Sequence, residues 1–261
     1  MSKKLGFALG AGGSRGVAHI GFLKAMEEEG IVPDYISGCS MGSVVGSCYA
    51  LGMKPDDMMK EINSLKFSDI FDLSIAPLSN GAILRAKKMY KKLQTYLKDL
   101  TFNQLEKPFC CVATDLNSGN VVTLSGETKV ADAVAASSSI PAIFKPVSIG
   151  NMTLVDGGVK CRVPIEQVRE MGADVVVAVD VLGKIRPSER KYNMFSVIFR
   201  VYDIMDCEVS CKRVNEHKPD LYIEPDLGEM IQFKFKDMDK AFNVGYLTGK
   251  EYADRIKDLV K

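Results

Sequence analysis

A serine placed between glycines carries the clearest chemistry in this sequence. A G-x-S-x-G pentapeptide centred on Ser40 lies between a strand-like segment at 35–36 and a segment with helical spacing at 41–51. A nucleophile elbow requires small residues such as Gly38 and Gly42, because the serine hydroxyl must project from a sharp turn between a strand and a helix. The motif therefore predicts a serine nucleophile for acyl transfer. An ordinary turn between a strand and a helix is the alternative that the motif alone leaves open.

A glycine-rich loop lies upstream at residues 10–16, between a strand-like segment at 5–9 and helical spacing at 18–29. Consecutive glycines let backbone amides point at an anion near a helix N-terminus, which suits a phosphate or the oxyanion of an acyl-transfer intermediate. A dinucleotide site would want an acidic residue at the end of the second strand, whereas Asp34 lies at its beginning. No Gly-Lys-Ser/Thr follows the glycines, so nucleotide binding is disfavoured.

The carboxyl group of Asp156 is a candidate base for the serine. Asp156 follows the apolar run 152–155 and precedes Gly157 and Gly158. An aspartate at a strand end, beside two conformationally permissive glycines, can act directly as a base. Asp-Gly is also a common turn sequence, so this interpretation depends on the pairing with the serine motif.

The two histidines of the sequence fit a Ser-His-Asp triad poorly. His19 falls in the helix after the glycine-rich loop, on a face with Phe22 and Leu23, and His217 lies in a polar stretch before Pro219. We interpret each as a buried structural or solvated histidine. Activity is therefore expected to rise with pH through a low, carboxylate-like pKa, without requiring a histidine transition at about pH 6.5.

The order of these three motifs resembles the patatin-like phospholipase family, whose members use a Ser-Asp dyad. Two further segments match that family, ATDL at 113–116 and ASSSIPAIFKP at 136–146. The resemblance covers about residues 5 to 181 and is similar in extent to the compact bacterial members of the family. The remainder of the chain matches nothing recognisable.

The resemblance implies a role for each motif residue. Ser40 would be the nucleophile and Asp156 its base, with an acyl-enzyme intermediate and an oxyanion hole in the glycine-rich loop. Ala11 is a departure, because many members carry glycine there. The other positions fall into two groups, namely Gly12, Gly13 and Ser14 for the oxyanion hole, and Arg15, Gly16, Gly38, Gly42, Gly157 and Gly158 as supporting motif residues.

These features predict a serine esterase or lipid acyl hydrolase of the phospholipase A or lysophospholipase type. The serine, the aspartate and the loop glycines are all present, which favours catalysis over a non-catalytic lipid-binding or regulatory module on the same fold. Neither a zinc-type ligand set nor a calcium loop is visible in the sequence, so we expect no metal and no cofactor. Acyl transfer to an acceptor other than water stays open.

The elements that must position these residues alternate between strands and helices. Buried strand patterns at 109–114 and 174–181, with helical spacing at 130–137 between them, continue this rhythm. They predict a three-layer α/β/α sandwich with a central, mostly parallel sheet, which the resemblance makes patatin-like. We expect a single domain over 1–261, with a helical extension at about 185–261.

Composition narrows the class of protein further. The 261 residues are 46% hydrophobic with a formal net charge of +1, which supports a folded core and offers no field for nucleic acid. The N-terminal apolar segment is too short for a signal peptide or a membrane span, so a cytosolic protein is expected. The seven cysteines follow no disulfide or metal spacing. We expect reduced thiols, with Cys110, Cys111, Cys207 and Cys211 in the core.

Two segments, at 66–80 and at 85–98, interrupt the alternation of strands and helices and could form a cap. Their apolar and basic residues would suit a lipid surface, but core packing with solvated lysines is the more common arrangement. The alternation Phe-Lys-Phe-Lys at 233–236 is equally open and fits an edge strand. We expect a lipid or another acyl ester as substrate, leave transient contact with a membrane surface open, and infer no oligomeric state. The apolar strip consists of Phe67, Ile70, Phe71, Leu73 and Ile75, and the basic face of Arg85, Lys87, Lys88, Lys91, Lys92 and Lys98.

Overall fold

The computed structural model describes residues 3–64, 87–185, 187, 194–228, 230 and 237–261. Its strands are β1 Leu5–Leu9, β2 Tyr35–Cys39, β3 Phe109–Asp115, β4 Val121–Leu124, β5 Val147–Ile149, β6 Met152–Asp156, β7 Val175–Val179 and β8 Leu221–Ile223. Its α-helices are α1 Val17–Glu28, α2 Met41–Ala50, α3 Pro55–Ser64, α4 Lys87–Leu97, α5 Val130–Ser137, α6 Ile165–Glu170, α7 Met194–His217 and α8 Met238–Val260.

All the described strands belong to one sheet, in the order β5-β6-β3-β2-β1-β7-β8, with β4 paired to β3. The pairs β3-β2, β2-β1, β1-β7 and β7-β8 are parallel. The pairs of β4 and β6 with β3, and of β5 with β6, are antiparallel. The sheet is therefore mixed, with parallel central strands and antiparallel pairs formed by β4, β5 and β6.

Helices cover both faces of this sheet. Along β1, Phe7 joins the larger apolar cluster, to which α1, α2, α5 and α8 contribute. The next residue, Ala8, points to the opposite face and joins a smaller cluster with residues of α6 and α7. Because the central strands are buried on both faces, they are continuously apolar rather than alternating. The expected three-layer α/β/α sandwich is confirmed.

The last part of the chain contains a strand that the sequence analysis missed. β8 pairs with β7 and extends the parallel part of the sheet. The expected helical extension at 185–261 accounts for α7 and α8, but a three-residue strand is too short to give a periodicity signal. The expectation of a single domain stays a prediction.

α8 packs closely along α1, the helix that the glycine-rich loop enters. A Cβ atom on Gly245 would meet the backbone carbonyl of Ala18, so the two helices approach each other almost to backbone contact. At the edge of this contact, Lys250 forms ion pairs with Glu28 and Glu29 at 2.9 and 3.0 Å. The C-terminal helix therefore fixes the position of α1.

Gly245→Ala is expected to lower the free energy of unfolding by about 1–3 kcal/mol, because the added methyl group has no space at the helix crossing. Helix propensity alone predicts the opposite sign, a gain of about 1 kcal/mol, so urea unfolding distinguishes the two effects. Asn243→Ala, at an exposed position of the same helix, is the control and should change stability by less than about 0.5 kcal/mol. A Gly245→Ala variant as stable as the wild type would contradict the close packing.

Candidate active site

Ser40 lies at a strained turn between β2 and α2. Its backbone φ of 52° and ψ of −122° fall in a region that residues other than glycine rarely occupy. A Cβ atom on Gly38 would lie 2.6 Å from the carbonyl oxygen of Gly42, and one on Gly42 would overlap the carbonyl of Leu9. The two glycines therefore allow the close approach that the turn requires, and the local geometry is that of a nucleophile elbow.

The hydroxyl group of Ser40 donates a hydrogen bond of 2.6 Å to Oδ2 of Asp156. The other carboxylate oxygen, Oδ1, accepts the backbone N–H of Gly158 at 2.8 Å. Ser40 is 5% exposed and Asp156 is 2% exposed, so the pair is almost completely shielded from water. The two residues that the sequence analysis singled out as nucleophile and base are thus in direct contact.

Strand register explains how this contact arises, because the strands that carry the two residues do not pair with each other. Cys39, which precedes Ser40, is paired with Val112 of β3, and Asp156 is paired with the next residue of that strand, Ala113. Val112 and Ala113 both pair with β4 on the opposite edge, so β2 and β6 lie end to end along the same edge of β3. The elbow of Ser40 therefore begins beside the last residue of β6.

Burial raises the pKa of Asp156 from its ordinary value of 3.8 to about 6. The hydrogen bonds from Ser40 and from the Gly158 amide oppose this rise, because both stabilise the ionised carboxylate. At neutral pH the group is therefore mostly ionised but much more basic than an exposed aspartate. A carboxylate with these properties is suited to accept a proton from a hydroxyl group.

The segment at 136–146 supports the backbone of both residues. The N–H of Ser40 donates to the hydroxyl oxygen of Ser137 at 3.0 Å. The N–H of Asp156 donates to the carbonyl of Ser139 at 2.9 Å. In the sequence this segment is notable only for its resemblance to the family, and in the fold its serines hold the backbone of both Ser40 and Asp156.

The glycine-rich loop lies beside residues that follow each partner of the pair. The Cβ of Ala11 lies 3.6 Å from the position a Cβ on Gly158 would take. A Cβ on Gly16 would overlap the side chain of Met41, the residue after Ser40. Among the described residues, none accepts a hydrogen bond from the backbone amides of Gly12 and Gly13. Those amides are therefore available to an anion bound at the loop. Ser14, the third residue predicted for this role, is buried.

Arg15 points away from the reacting groups and towards the C-terminal part of the chain. Its guanidinium group donates to the carbonyl oxygens of Leu182 and Gly228, each at 2.9 Å. Its Nε donates to the carbonyl of Met230 at 2.8 Å. The side chain of this motif residue therefore joins the loop to the segments that follow β7 and β8.

Neither histidine contacts the Ser40–Asp156 pair. His19 is fully buried, and its Nε2–H donates to the carbonyl of Gly10 at 2.8 Å. Burial lowers the pKa of His19 to about 4, so the ring is neutral at neutral pH. His217 lies at the end of α7, 3.6 Å from Glu166. His19 is thus the buried structural histidine that the sequence analysis considered.

The remaining sequence expectations have mixed outcomes. Cys39 is buried beside Asp156, and burial raises its thiol pKa well above the ordinary value, which suits core packing. Cys110 and Cys111 are buried as expected, but Cys211 is exposed on the outer side of α7 and its expected core position is wrong. The apolar strip at 67–75 and the segment at 233–236 lie outside the described residues.

In the part of the chain that the structure describes, no group of three or more His, Cys, Asp or Glu side chains is placed to hold a metal ion. No described helix is long and apolar enough to cross a membrane.

A buried charge network beneath the site was not predicted from the sequence. Arg162 is 3% exposed and donates to Asp180 at 2.6 Å and to Asp206 at 3.0 Å. Burial raises the pKa of Asp206 to about 7, although Arg162 opposes the rise. Tyr222 adds a further hydrogen bond of 2.6 Å to Asp180. The carbonyl of Arg162 accepts the N–H of Ala11, which links the network to the glycine-rich loop.

Tyr202 of α7 is a second residue that the sequence analysis missed. A Cβ atom on Gly158 would lie 3.0 Å from the Tyr202 hydroxyl and 3.0 Å from Oδ1 of Asp156. The two oxygen atoms therefore flank the same point beside the Gly158 backbone. No sequence motif surrounds Tyr202, and only the packing of α7 brings it to this place.

Known proteins resemble this chain both in sequence and in fold. The patatin-like phospholipase family matches residues 7–169. An uncharacterized NTE family protein of Mycobacterium tuberculosis is 35% identical over 182 residues, which are 70% of this chain and 50% of that protein. Lysophospholipase NTE1 of Coccidioides immitis is 26% identical over 98% of this chain and 18% of its own length. The chain thus spans half or less of the length of these relatives.

Among solved structures, VipD from Legionella pneumophila superposes with a TM-score of 0.54 at 15% sequence identity. The superposition covers 97% of this chain and 67% of VipD. At this level of identity the comparison supports the fold alone. Because almost the whole chain is covered, the shared fold includes the part of this chain beyond the motif-bearing residues.

The raised pKa of Asp156 makes a prediction for stability. Between about pH 4 and pH 6 the folded protein binds more protons at this group than the unfolded chain does, so the contribution of Asp156 to stability falls as pH rises. Asp156→Asn cannot ionise and should gain stability relative to the wild type over this range, by up to about 3 kcal/mol. Urea unfolding of both proteins from about pH 4 to about pH 8 measures the difference.

For Asp115→Asn, the stability relative to the wild type should depend on pH in the opposite direction. Hydrogen bonds, the largest from Ser118, lower the pKa of Asp115, so its ionised form stabilises the fold. The stability of Asp115→Asn relative to the wild type should therefore fall as pH rises through the acidic range. A difference between Asp156→Asn and the wild type that does not vary with pH would contradict the buried, raised pKa of Asp156.

Proposed function

The chain belongs to the patatin-like phospholipase family, and on that premise we propose that it hydrolyses lipid acyl esters through a Ser40–Asp156 dyad. One observation carries the proposal, namely the 2.6 Å hydrogen bond between Ser40 Oγ and Asp156 Oδ2 at a strained, buried elbow. Similarity to a protein named lysophospholipase supports a lipid substrate. Phospholipase A or lysophospholipase activity is the finer form of the proposal.

Acylation begins with the transfer of the Ser40 hydroxyl proton to Asp156. The serine oxygen attacks the ester carbonyl as the proton leaves, and the backbone amides of Gly12 and Gly13, with Ser14 as a third donor, hold the oxyanion. The bond to the alcohol then breaks and leaves an ester of Ser40. Donors fixed by a loop are effective here because they do not have to reorganise when charge develops.

Deacylation repeats the same proton transfers with water in place of serine. Asp156 accepts a proton from the attacking water, and the Ser40 oxygen recovers a proton as the fatty acid leaves. A carboxylate with a pKa of about 6 is a modest base. Esters, whose alcohols leave more easily than amines, match such a base better than amides do.

Labelling of Ser40 by a fluorophosphonate probe tests the proposal directly. Wild-type protein should gain one adduct by intact mass, and Ser40→Ala should gain none. Asp156→Asn should label slowly, and both variants should lose ester hydrolysis by on the order of 10⁴-fold. Ser47→Ala, which removes a buried hydroxyl from the same helix, is the control and should label normally.

Absence of labelling in folded wild-type protein would contradict the proposal and favour a non-catalytic lipid-binding module on the same fold. Ester hydrolysis should also persist in the presence of EDTA, because no step uses a metal ion.

The pH profile of kcat/KM reports the base. It should rise through about pH 6, because Asp156 must be ionised to accept the serine proton. An ordinary histidine titrates at about 6.5, so the profile alone does not separate a dyad from a histidine triad. The double variant His19→Gln/His217→Gln should keep both the profile and most of the rate. A folded double variant without the pH 6 transition would overturn the dyad.

A further inference from the structure

The inner face of α7 brings the Tyr202 hydroxyl next to the dyad with no hydrogen-bond acceptor among the described residues. Tyr202 is only partly exposed, and its hydroxyl and Asp156 Oδ1 approach the same point above Gly158. Ser40 bonds to the other oxygen of that carboxylate, Oδ2. A group bound beside Oδ1 would therefore face the tyrosine hydroxyl and the base together.

A buried ion pair holds this face of α7 against the sheet. Asp206 lies one helical turn after Tyr202 and so projects from the same side of α7. Arg162 donates to Asp206 at 3.0 Å, and Ser210, another turn along, donates to the second carboxylate oxygen of Asp206 at 3.3 Å. The guanidinium group of Arg162 also binds Asp180 at the end of β7, so α7 is fixed to the strand that flanks β1.

Tyr202 keeps its hydroxyl proton in this setting and can therefore donate a hydrogen bond. Burial, and after it the nearby charge of Asp156, raise the pKa of Tyr202 well above its ordinary range. The hydroxyl group therefore keeps its proton at pH 8, at which Asp156 is ionised. A donor beside the base lies where negative charge must develop on the alcohol oxygen when the ester bond breaks.

We propose that Tyr202 is a further catalytic residue, whose hydroxyl donates a hydrogen bond to the oxygen of the departing alcohol while the Arg162–Asp206 ion pair holds it in position. This inference rests on the proposed ester hydrolysis by Ser40. In the step concerned, the bond between Ser40 Oγ and the acyl carbon forms and the bond from that carbon to the alcohol oxygen breaks. The proton that Asp156 accepted passes to the alcohol oxygen, and Tyr202 retains its own proton.

The leaving group provides the test. An alkoxide is strongly basic and needs the hydrogen bond, whereas a nitrophenolate leaves readily without it. Tyr202→Phe should therefore lower kcat/KM for a monoacylglycerol by roughly 10- to 100-fold, the value of a hydrogen bond to a charged group. For the p-nitrophenyl ester of the same fatty acid, kcat/KM should fall by less than about 3-fold. Assays at pH 8 keep Asp156 ionised in both proteins.

The control is Tyr246→Phe in the distant helix α8. It removes an exposed hydroxyl group that donates a hydrogen bond to Glu28 of α1. This variant should have the wild-type kcat/KM for both esters. Equal losses on the two esters, or no loss on either, in Tyr202→Phe would overturn the proposal. Fluorophosphonate labelling of Ser40 should persist in Tyr202→Phe, because the fluoride leaving group needs no such donor. If wild-type protein itself fails to label, the dyad is refuted rather than the role of Tyr202.

The positioning role of the ion pair has its own readout. Asp206→Asn removes the charge that Arg162 holds and should reproduce the selective loss on the monoacylglycerol in a weaker form. In the Tyr202→Phe background the same change should cause little further loss, because both act through one hydroxyl group. The ion pair would be merely structural if Asp206→Asn lowered kcat/KM for the two esters equally and had the same effect in the Tyr202→Phe background.

Discussion

The hydrogen bond between Ser40 and Asp156 joins the ends of two strands that do not pair with each other. It forms because both strands pair with neighbouring residues on the same edge of β3, with Cys39 beside Val112 and Asp156 beside Ala113. A slip of one residue in the pairing of β6 with β3 would turn the side chain of Asp156 to the opposite face of the sheet. The parallel centre and the antiparallel edge of the mixed sheet therefore meet at the one strand on which the candidate site depends.

Two kinds of buried carboxylate occur within this site, and they differ in how their charge is compensated. Asp180 and Asp206 share the guanidinium group of Arg162, so their charges are offset by a cation and hold elements together. Burial raises the pKa of both Asp206 and Asp156, but the hydrogen bonds described for Asp156 come from neutral groups, among them a serine hydroxyl and a glycine amide. A carboxylate in such a position costs stability when ionised, and a pKa raised by burial is a mark of functional sites.

Much of the site could be predicted from the sequence, because its parts are local. The elbow of Ser40 is predicted by small residues at fixed spacing between a strand and a helix. The loop at 10–16 is predicted by its glycines. The helix at 130–137 and the strand at 5–9 have the expected bounds. These features depend on neighbouring residues alone, so a motif or a periodicity is enough to find them.

The parts that could not be predicted depend on contacts between distant residues. Arg162, Asp180 and Asp206 show no common spacing, and only the packing of α7 on the sheet joins them. Tyr202 lies in a helix whose inner face carries Asp206 and Ser210 while its outer face exposes Val201 and Met205. Such a helix contradicts the usual rule that apolar residues face inward, so amphipathicity could not indicate which side contacts the sheet.

The central claim is that a buried, unusually basic carboxylate at Asp156 serves the serine. The most direct measurement is the titration of that carboxyl group, followed by carbon NMR of protein labelled at the aspartate side-chain carboxyl. The signal is assigned by its absence in Asp156→Asn. The account predicts a midpoint at about pH 6 in the wild type. It predicts a higher midpoint in Ser40→Ala, because the lost hydroxyl donor lowers the pKa of Asp156 in the wild type. A midpoint at or below the ordinary aspartate value of 3.8 would contradict it.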